Sequence, residues 1–400
     1  MRKLLMVAAV LGLTGVGMGE DWPKFMGPRG DGISQEKIND AWPKEGPKVL
    51  WKAKVGAGYS SPLVKAGRVY YFGMVDNKDT LSALDAKTGD VVWQEGSEPG
   101  WPKDGTGFPG TRATPAIDGD NIYTYSGNGE LICRKLADGK PVWTTNVLKE
   151  TGGSPLQWGQ SSTPLVAGDL VYVQGGGGGA VAVAVNKTTG AYAWKGEKSL
   201  GGYAAPIIVT AEGKELLIVV GGKQIMGLDP KTGQSLWNQR WETSYDVNAA
   251  TPLYRDGQLL VSSGYGHGCI ALKISAAGAQ KLWANSSLQA KAPSPILEGD
   301  VVYGNSEGTL VALNWKTGAK LWRGEDKVGA GGSLLKVGDK LLVVSEGGDV
   351  LLCKPGEKEL TTLVTFKAVK GKSWVPPVIS GGRLLVKGET ELVCYDVAGK

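Results

Sequence analysis

Residues 81–93 read Leu-Ser-Ala-Leu-Asp-Ala-Lys-Thr-Gly-Asp-Val-Val-Trp, and residues 310–322 repeat the pattern as Leu-Val-Ala-Leu-Asn-Trp-Lys-Thr-Gly-Ala-Lys-Leu-Trp. A proline and two short runs of β-branched and aromatic residues precede each copy, beginning at Pro62 and Pro295. Further copies keep successive tryptophans 39 to 51 residues apart and end at Trp143, Trp194, Trp237 and Trp283. A period of this length without a helical pattern is typical of four-stranded units around a channel.

The chain ends partway through its last copy. A seventh copy begins at Ser333 and has Phe366 in the place of tryptophan, whereas the eighth begins at Pro376 and stops at the C-terminus before its final strand. The missing strand matches residues 46–51, Gly-Pro-Lys-Val-Leu-Trp. Pairing this segment with the last copy removes exposed strand edges. We therefore predict an all-β fold, an eight-bladed β-propeller closed by the N-terminal strand.

The repeated turn and the tryptophan after it have separate structural roles. In residues 85–89 the aspartate can bond to the backbone two residues on, and the glycine accepts a left-handed conformation. Each tryptophan lies on an outer strand, where its ring can cover the seam to the next blade and its indole N–H can find a partner. These predicted docking residues are Trp51, Trp93, Trp143, Trp194, Trp237, Trp283 and Trp322.

The N-terminus has the pattern of an export signal. Arg2 and Lys3 precede an apolar run, and small residues at 17–19 suit a cleavage site that leaves Glu20 or Asp21 first. We predict a signal peptide at 1–19, an extended segment at 20–45 and one propeller at 46–400, in a periplasmic or secreted protein. An uncleaved anchor is the alternative, although the run is short for a membrane span. No cysteine follows it, which disfavours a lipid anchor.

The charge balance argues against a nucleic-acid-binding protein, and the positions of the cysteines argue against disulfides. The formal charge is +5, or +3 without Arg2 and Lys3, and no basic stripe suggests nucleic acid. We expect a monomer without a stable membrane anchor. The cysteines fall in the third-strand pattern of different copies, where a small apolar residue fits, so we expect free buried thiols rather than disulfides. They are Cys133, Cys269, Cys353 and Cys394.

Three short motifs are better explained by turns and loops than by chemistry. His267 and Cys269 would give a metal only two ligands. The glycines at 175–179 precede a strand rather than a helix, which argues against a dinucleotide site. The acidic segments 76–79 and 118–120 lack full calcium-loop spacing. We therefore predict no metal site and no catalytic residue.

Large side chains recur just before the innermost strand of several blades, at the end of the channel where propellers usually bind ligands. Aromatic walls with a few polar groups suit a planar ring, a sugar or an extended peptide. The alternative is that these side chains only fill the channel. The predicted ligand-binding residues are Tyr59, Trp101, Phe108, Arg112, Trp158, Tyr203, Tyr245, Asp246, Asn248 and Trp374.

The Leu-x-Ala-Leu-Asp-x-x-Thr-Gly-x-x-x-Trp string resembles the tryptophan-docking repeat of the pyrroloquinoline quinone (PQQ) propeller superfamily, and this resemblance covers nearly all of the mature chain. Residues 21–32 also resemble the N-terminal signature of exported PQQ-like propeller proteins. The Trp-Asp pair of WD40 propellers is absent, and Gly-His occurs once, at 266–267, rather than in each copy.

The resemblance implies one of two functional classes. Quinoprotein alcohol dehydrogenases hold PQQ and calcium in the funnel, between a tryptophan and a disulfide of adjacent cysteines, and use an aspartate base. This chain has no adjacent cysteines. The other class is similar to the BamB subunit of the outer-membrane assembly machinery, which binds proteins without catalysis. We expect a non-catalytic binding or scaffolding module with a protein or a small planar or sugar-like ligand; the alternative is a PQQ- and calcium-dependent dehydrogenase or a degenerate relative.

Overall fold

The computed structural model describes residues 19–97, 101 and 109–399, and it confirms the eight-bladed propeller. Each blade is a four-stranded antiparallel sheet, whose strands are named a to d from the channel outward. Blade 1 comprises Leu63–Lys65, Arg68–Val75, Lys78–Asp85 and Val91–Ser97. Blade 2 comprises Ala116–Asp118, Asn121–Tyr125, Glu130–Lys135 and Pro141–Asn146. Blade 3 comprises Leu165–Ala167, Leu170–Gln174, Ala182–Asn186 and Tyr192–Lys195. Blade 4 comprises Ile207–Ala211, Lys214–Val220, Gln224–Leu228 and Ser235–Arg240.

The second half of the ring continues the same order. Blade 5 comprises Leu253–Arg255, Gln258–Ser263, Gly268–Ser275 and Gly278–Asn285. Blade 6 comprises Ile296–Glu298, Val301–Ser306, Thr309–Asn314 and Lys320–Lys327. Blade 7 comprises Ser333–Val337, Lys340–Val344, Asp349–Pro355 and Leu360–Lys367. Blade 8 comprises Val378–Ser380, Arg383–Lys387 and Glu391–Asp396, with Val49–Lys54 as strand d. The described part also contains a short helix, Val147–Thr151, and a 3-10 turn, Ser244–Asp246.

The ring closes through the N-terminal strand, as predicted. Val49–Lys54 runs antiparallel to Glu391–Asp396, with Trp51 opposite Cys394. The pairing shifts register between Val49 and Trp51, and a comparable bulge occurs between strands c and d of every blade. A bulge bends its strand and re-aims the following side chain. It therefore turns the docking aromatic inward, while neighbours such as Val91 and Val92 remain exposed.

Most of the outer-strand tryptophans bond to the next blade. The indole N–H groups of Trp51, Trp143, Trp194, Trp237 and Trp322 donate to backbone carbonyls at 2.9–3.0 Å. Trp93 and Trp283 have no such bond. At the equivalent turns the Leu136 carbonyl accepts from Tyr70, and the Trp315 carbonyl accepts from Gln258.

The glycine of the repeated turn is required by both its conformation and its neighbour. Gly89 has φ +77°, and a Cβ there would lie 2.7 Å from the Trp51 ring of the preceding blade. Asp85 Oδ1 accepts from the backbone N–H groups of Lys87 at 2.7 Å and Thr88 at 3.2 Å. The turn thus supplies a flat surface on which the neighbouring indole packs.

Residues 22–34 pack against inner strands of three blades, near the turns between strands a and b. Trp22 pairs with Val64 of blade 1, and the Pro23 carbonyl accepts from Ile117 of blade 2. Further along, Ile33–Ser34 forms a parallel strand beside Lys336–Val337 of blade 7. This segment therefore joins the inner strands of blades on both sides of the ring.

The remaining core is apolar and contains the four cysteines as free, buried thiols on strand c of blades 2, 5, 7 and 8. The prediction that Phe366 takes the tryptophan position of blade 7 was wrong in register, because Val364 is the residue that pairs just before the bulge. Phe366 lies two residues further along the strand and packs edge-on against Trp42 and Tyr395. No helix in the described ranges is long and apolar enough to cross a membrane.

Candidate functional site

A cavity of about 470 Å³ occupies the funnel at one end of the channel. Its walls come from the segments that lead into strand a of the blades, here called lead-in segments, and from turns between strands b and c. Strand b runs back toward the start of strand a, so both kinds of segment reach the same end of the ring. Phe25 and Met26 of the N-terminal segment also line the cavity.

Five of the predicted ligand-binding residues line this cavity: Tyr59, Arg112, Trp158, Tyr203 and Trp374. The rings of Tyr59 and Trp374 have centroids 6.0 Å apart. The Arg112 guanidinium lies 5.8 Å from the Tyr59 ring centroid, within cation–π range. Blades 8, 1 and 2 therefore contribute a continuous aromatic and cationic surface.

Burial changes the acid–base properties of this surface. Desolvation lowers the pKa of Arg112 to about 10, although nearby Tyr59, Asp79 and Tyr203 oppose that shift. The guanidinium still carries its charge at neutral pH, and it donates a hydrogen bond to the Gly110 carbonyl. Desolvation likewise raises the pKa of Tyr203, so its hydroxyl stays protonated. That hydroxyl accepts a hydrogen bond from the Trp158 backbone at 3.4 Å.

The other predicted residues that the structure describes do not line the cavity. Asn248 is buried, donates to the Gly221 and Gly222 carbonyls, and accepts from Thr243 and Ser263. Its amide is therefore engaged in holding the lead-in segment of blade 5.

Trp101 packs over Gly127 and Gly159, outside the cavity lining. Tyr245 and Asp246 lie in the 3-10 turn at the rim. Phe108 lies outside the described residues.

Among the lining residues that the sequence prediction missed, four are ionisable: Tyr265, Lys291, Glu346 and Lys372. Lys291 and Lys372 lie four residues before Pro295 and Pro376, so the same positions that selected Arg112 and Asn248 could have identified them. Tyr265 and Glu346 lie in b–c turns. The antiparallel order of strands a, b and c would have placed those turns at the funnel.

Lys291 has an unusual environment. Its ammonium lies 4.6 Å from the Tyr265 ring centroid and 6.0 Å from that of Trp374. No carboxylate of the described chain forms an ion pair with it. Tyr265 in turn contacts the rim residue Tyr245, with ring centroids 5.3 Å apart. We call Tyr245, Tyr265, Lys291 and Trp374 the funnel wall.

The described lining carries three cationic side chains and one carboxylate. Glu346 is its one carboxylate, and Oε2 accepts from the Gly331 backbone at 3.2 Å. The described lining contains no histidine or cysteine that could pair with a nucleophile. His267 is exposed and packs edge-on against Trp241, with ring centroids 4.2 Å apart. This set of side chains offers aromatic contact and cationic hydrogen bonding.

The described residues do not fit a calcium-supported quinone site. They contain no group of three or more His, Cys, Asp or Glu side chains that could hold a metal ion. A calcium ion in proteins takes six to eight oxygen ligands, several of them carboxylates, whereas Glu346 is the one carboxylate of the described lining. The cysteines are buried in separate blades.

Comparisons of the sequence with known proteins indicate the same family. The family model described as outer membrane protein assembly factor BamB matches residues 41–107 and 77–324, more than half of the chain. Outer membrane protein assembly factor BamB from Yersinia pestis is 22% identical over 362 residues, which cover 86% of this chain and 77% of that protein. The Vibrio cholerae protein of the same description is 32% identical over 97 residues, or 24% of each chain.

Two solved structures show the same fold. BamB from Moraxella catarrhalis superposes with a TM-score of 0.63 and 18% identity, covering 87% of this chain and 98% of that one. Quinohemoprotein alcohol dehydrogenase from Comamonas testosteroni gives a TM-score of 0.71 and 14% identity, covering 95% of this chain and 81% of that one. At such low identities both similarities establish architecture alone.

Proposed function

The chain belongs to the family described as outer membrane protein assembly factor BamB, and from this membership we propose that it is an exported, non-catalytic scaffold that binds a protein partner at its funnel. The description of its relatives names a role in assembly at the outer membrane. Together with the export pattern at residues 1–19, this supports a periplasmic location beside that membrane.

The funnel wall is the observation that carries the proposal. Tyr245 is 70% exposed at the rim and leads through Tyr265 and Lys291 to Trp374 inside the cavity. Interfaces between proteins are enriched in tyrosine and tryptophan because these side chains provide large, rigid contact areas. A continuous surface from rim to cavity suits a polypeptide segment that enters the funnel from outside.

Backbone strain supports the same interpretation. Tyr245, Asp246 and Tyr265 have positive φ angles of 63°, 54° and 57°. Left-handed conformations of non-glycine residues cost about 1–3 kcal/mol each and are concentrated at binding sites. We infer that the strain keeps the wall in a shape ready for a partner.

Charge indicates the chemistry of that partner. Lys291 is half-buried and lies near two aromatic rings, and no described carboxylate is within ion-pair distance. An acidic residue from a partner would gain a charge-assisted hydrogen bond and a cation already oriented by the two rings. We therefore propose that the entering segment carries a carboxylate flanked by apolar or aromatic residues.

Site-specific photo-crosslinking tests the proposal. A photoreactive phenylalanine analogue replaces Tyr245 in the exported chain, and the matched control replaces Leu282, an exposed residue on strand d of blade 5. We expect a discrete adduct with an envelope protein from position 245, weakened when Lys291→Glu is added. The same adducts from both positions, or none from 245, would contradict a partner at the funnel.

A thermal titration with PQQ tests the alternative that the chain is a quinone-dependent enzyme. We expect no change in melting temperature when the purified chain is titrated with PQQ, with or without Ca²⁺. A ligand selective for the native state must stabilise it. A saturable, calcium-dependent rise that is lost in Trp158→Ala or Trp374→Ala would replace the scaffold with a quinone-dependent function.

A further inference from the structure

Glu20 is held by partners at each of its polar groups. Its backbone N–H donates to Oε1 of Glu36 at 2.9 Å, and Ser380 Oγ donates to its carbonyl at 2.7 Å. Its carboxylate accepts from Arg29 at 2.8 Å and from the Gln35 backbone at 3.3 Å. These contacts fasten the start of the N-terminal segment to the turn between strands a and b of blade 8.

Glu36 is the centre of this arrangement. Its Oε1 also accepts from the Gly381 backbone at 2.5 Å, and its Oε2 accepts from the Gly382 backbone at 2.8 Å. No lysine or arginine of the described chain forms an ion pair with this carboxylate. Three backbone N–H groups surround it, and the third is that of Glu20. The Glu36 carboxylate thus accepts two backbone N–H groups from blade 8 and one, that of Glu20, from the N-terminal segment.

The residues just before Glu20 meet the requirements of signal-peptide cleavage. Gly17 and Gly19 place small side chains three positions and one position before the Gly19–Glu20 bond, after an apolar run. Cleavage one residue later would put a glutamate where a small residue is needed. It would also remove Glu20 and all its contacts. The sequence pattern and the contacts therefore select the same peptide bond.

We propose that the chain is cut between Gly19 and Glu20 and that Glu36 receives the new N-terminus. A membrane-bound peptidase of the secretion route hydrolyses the bond: water adds its oxygen to the Gly19 carbonyl carbon, and the C–N bond breaks. Gly19 leaves as a carboxylate, and the nitrogen of Glu20 becomes an α-ammonium. That charge replaces a neutral N–H donor at Glu36, so the hydrogen bond becomes charge-assisted.

Processing would then complete the packing of the N-terminal segment. The N-terminal segment crosses from blade 8 to blades 1, 2 and 7, and Phe25 and Met26 line the cavity from within it. Fixing Glu20 on Glu36 anchors the beginning of that segment. We expect the mature chain to hold it more firmly than a chain with extra residues before Glu20.

Mass spectrometry of the exported protein tests the cleavage position. The full-length chain is expressed in a Gram-negative host, purified from the periplasmic fraction, and its N-terminal peptide is sequenced. The expected N-terminus is Glu20. A chain that begins at Asp21, at any other residue, or at Met1 would overturn the proposal.

A thermal comparison tests the role of Glu36. Chains that begin at Glu20, or at Gly19 followed by Glu20, are released from a fusion protein and compared in three backgrounds: unchanged, Glu36→Gln, and the exposed control Glu357→Gln. We expect the added glycine to lower the melting temperature by about 1–3 °C, equally in the control. In Glu36→Gln the difference should vanish. A difference that is absent in the unchanged chain, or persists in Glu36→Gln, would contradict the ammonium site.

The N-terminal sequence and the melting temperature are both measured without a protein partner. Failure of this inference is thus distinguishable from failure of the proposed function, with which it shares only the export step.

Discussion

Lys387 places an ammonium between the last and the first blade. Its side chain is 2% exposed, lies 4.9 Å from the Tyr71 ring centroid, and donates to the Glu389 carbonyl at 3.0 Å. Desolvation lowers its pKa from 10.5 to about 7, opposed by Glu389 and Glu391. Between these values the folded chain binds fewer protons than the unfolded chain, so this lysine makes stability rise with pH, by up to about 1.4 kcal/mol per unit.

Replacing this lysine should therefore remove a pH dependence. Lys387→Met keeps most of the side-chain volume without the charge, and we expect it to raise the melting temperature at pH 7 and to flatten the rise between pH 7 and 10. Melting curves of both proteins across that range provide the measurement, with the exposed Lys281→Met as control. A parallel pH dependence in the two proteins would show that Lys387 is not its source.

Asp79 should change the free energy of unfolding with pH in the opposite direction, over a lower pH range. This carboxyl is 1% exposed at the start of strand c of blade 1, and desolvation raises its pKa from 3.8 to about 7. The folded chain then binds more protons than the unfolded chain between those values, so its contribution to stability falls as pH rises from about 4 to 7. We expect Asp79→Asn to remove that fall and to melt higher than the natural chain at pH 8. An unchanged profile from pH 4 to 8 would refute the shift.

The tryptophans that join the blades differ in how much their indole hydrogen bonds contribute to the free energy of unfolding. Trp322 donates to the Gly356 carbonyl at 3.0 Å, whereas the Trp283 N–H is buried without a partner. Trp322→Phe should leave that carbonyl unpaired and cost about 1 kcal/mol more than Trp283→Phe. Trp322→Ala should cost about 3–5 kcal/mol because it also leaves a cavity. Urea unfolding of the three variants measures these differences; equal losses in both phenylalanine variants would argue against the hydrogen bond.

The closing strand makes a prediction about association. Deleting residues 46–54 removes Val49–Lys54 and exposes the edge of Glu391–Asp396. An unpaired edge is a template for another chain, so we expect dimers or larger species by light scattering after size-exclusion chromatography. Deletion of the rim turn 244–246, which pairs with no strand, should leave the chain monomeric. A monomeric 46–54 deletion with unchanged stability would show that closure does not depend on this strand.

These elements were predictable because their signals are either local to one turn or implied by the repeat itself. The Asp85–Gly89 turn and the tryptophan after it carry their own conformational requirements, and the incomplete last copy implied the pairing of Val49–Lys54 with the C-terminal strand. The bulge before each docking aromatic was not predicted. It depends on how strands c and d align, which no residue type at that position specifies.

Across the whole molecule, the position of the funnel was predictable but its lining only in part. Lead-in segments do meet at one end, yet the direction of each side chain depends on its partners. Asn248 turns away from the cavity to bond with Gly221 and Gly222, whereas Lys291 faces it between two rings. Contacts between blades determine these side-chain directions, and the sequence of a single repeat does not specify those contacts.

If the funnel wall binds an acidic segment of a protein partner, the dissociation constant of that complex must depend on Lys291. The envelope protein captured through position 245 is purified, and its affinity is measured for the mature chain, for Lys291→Met and for the exposed control Lys281→Met. We predict about tenfold weaker binding for Lys291→Met, since a desolvated charge pair is lost, and an unchanged value for Lys281→Met. Equal affinities for all three proteins would contradict the claim.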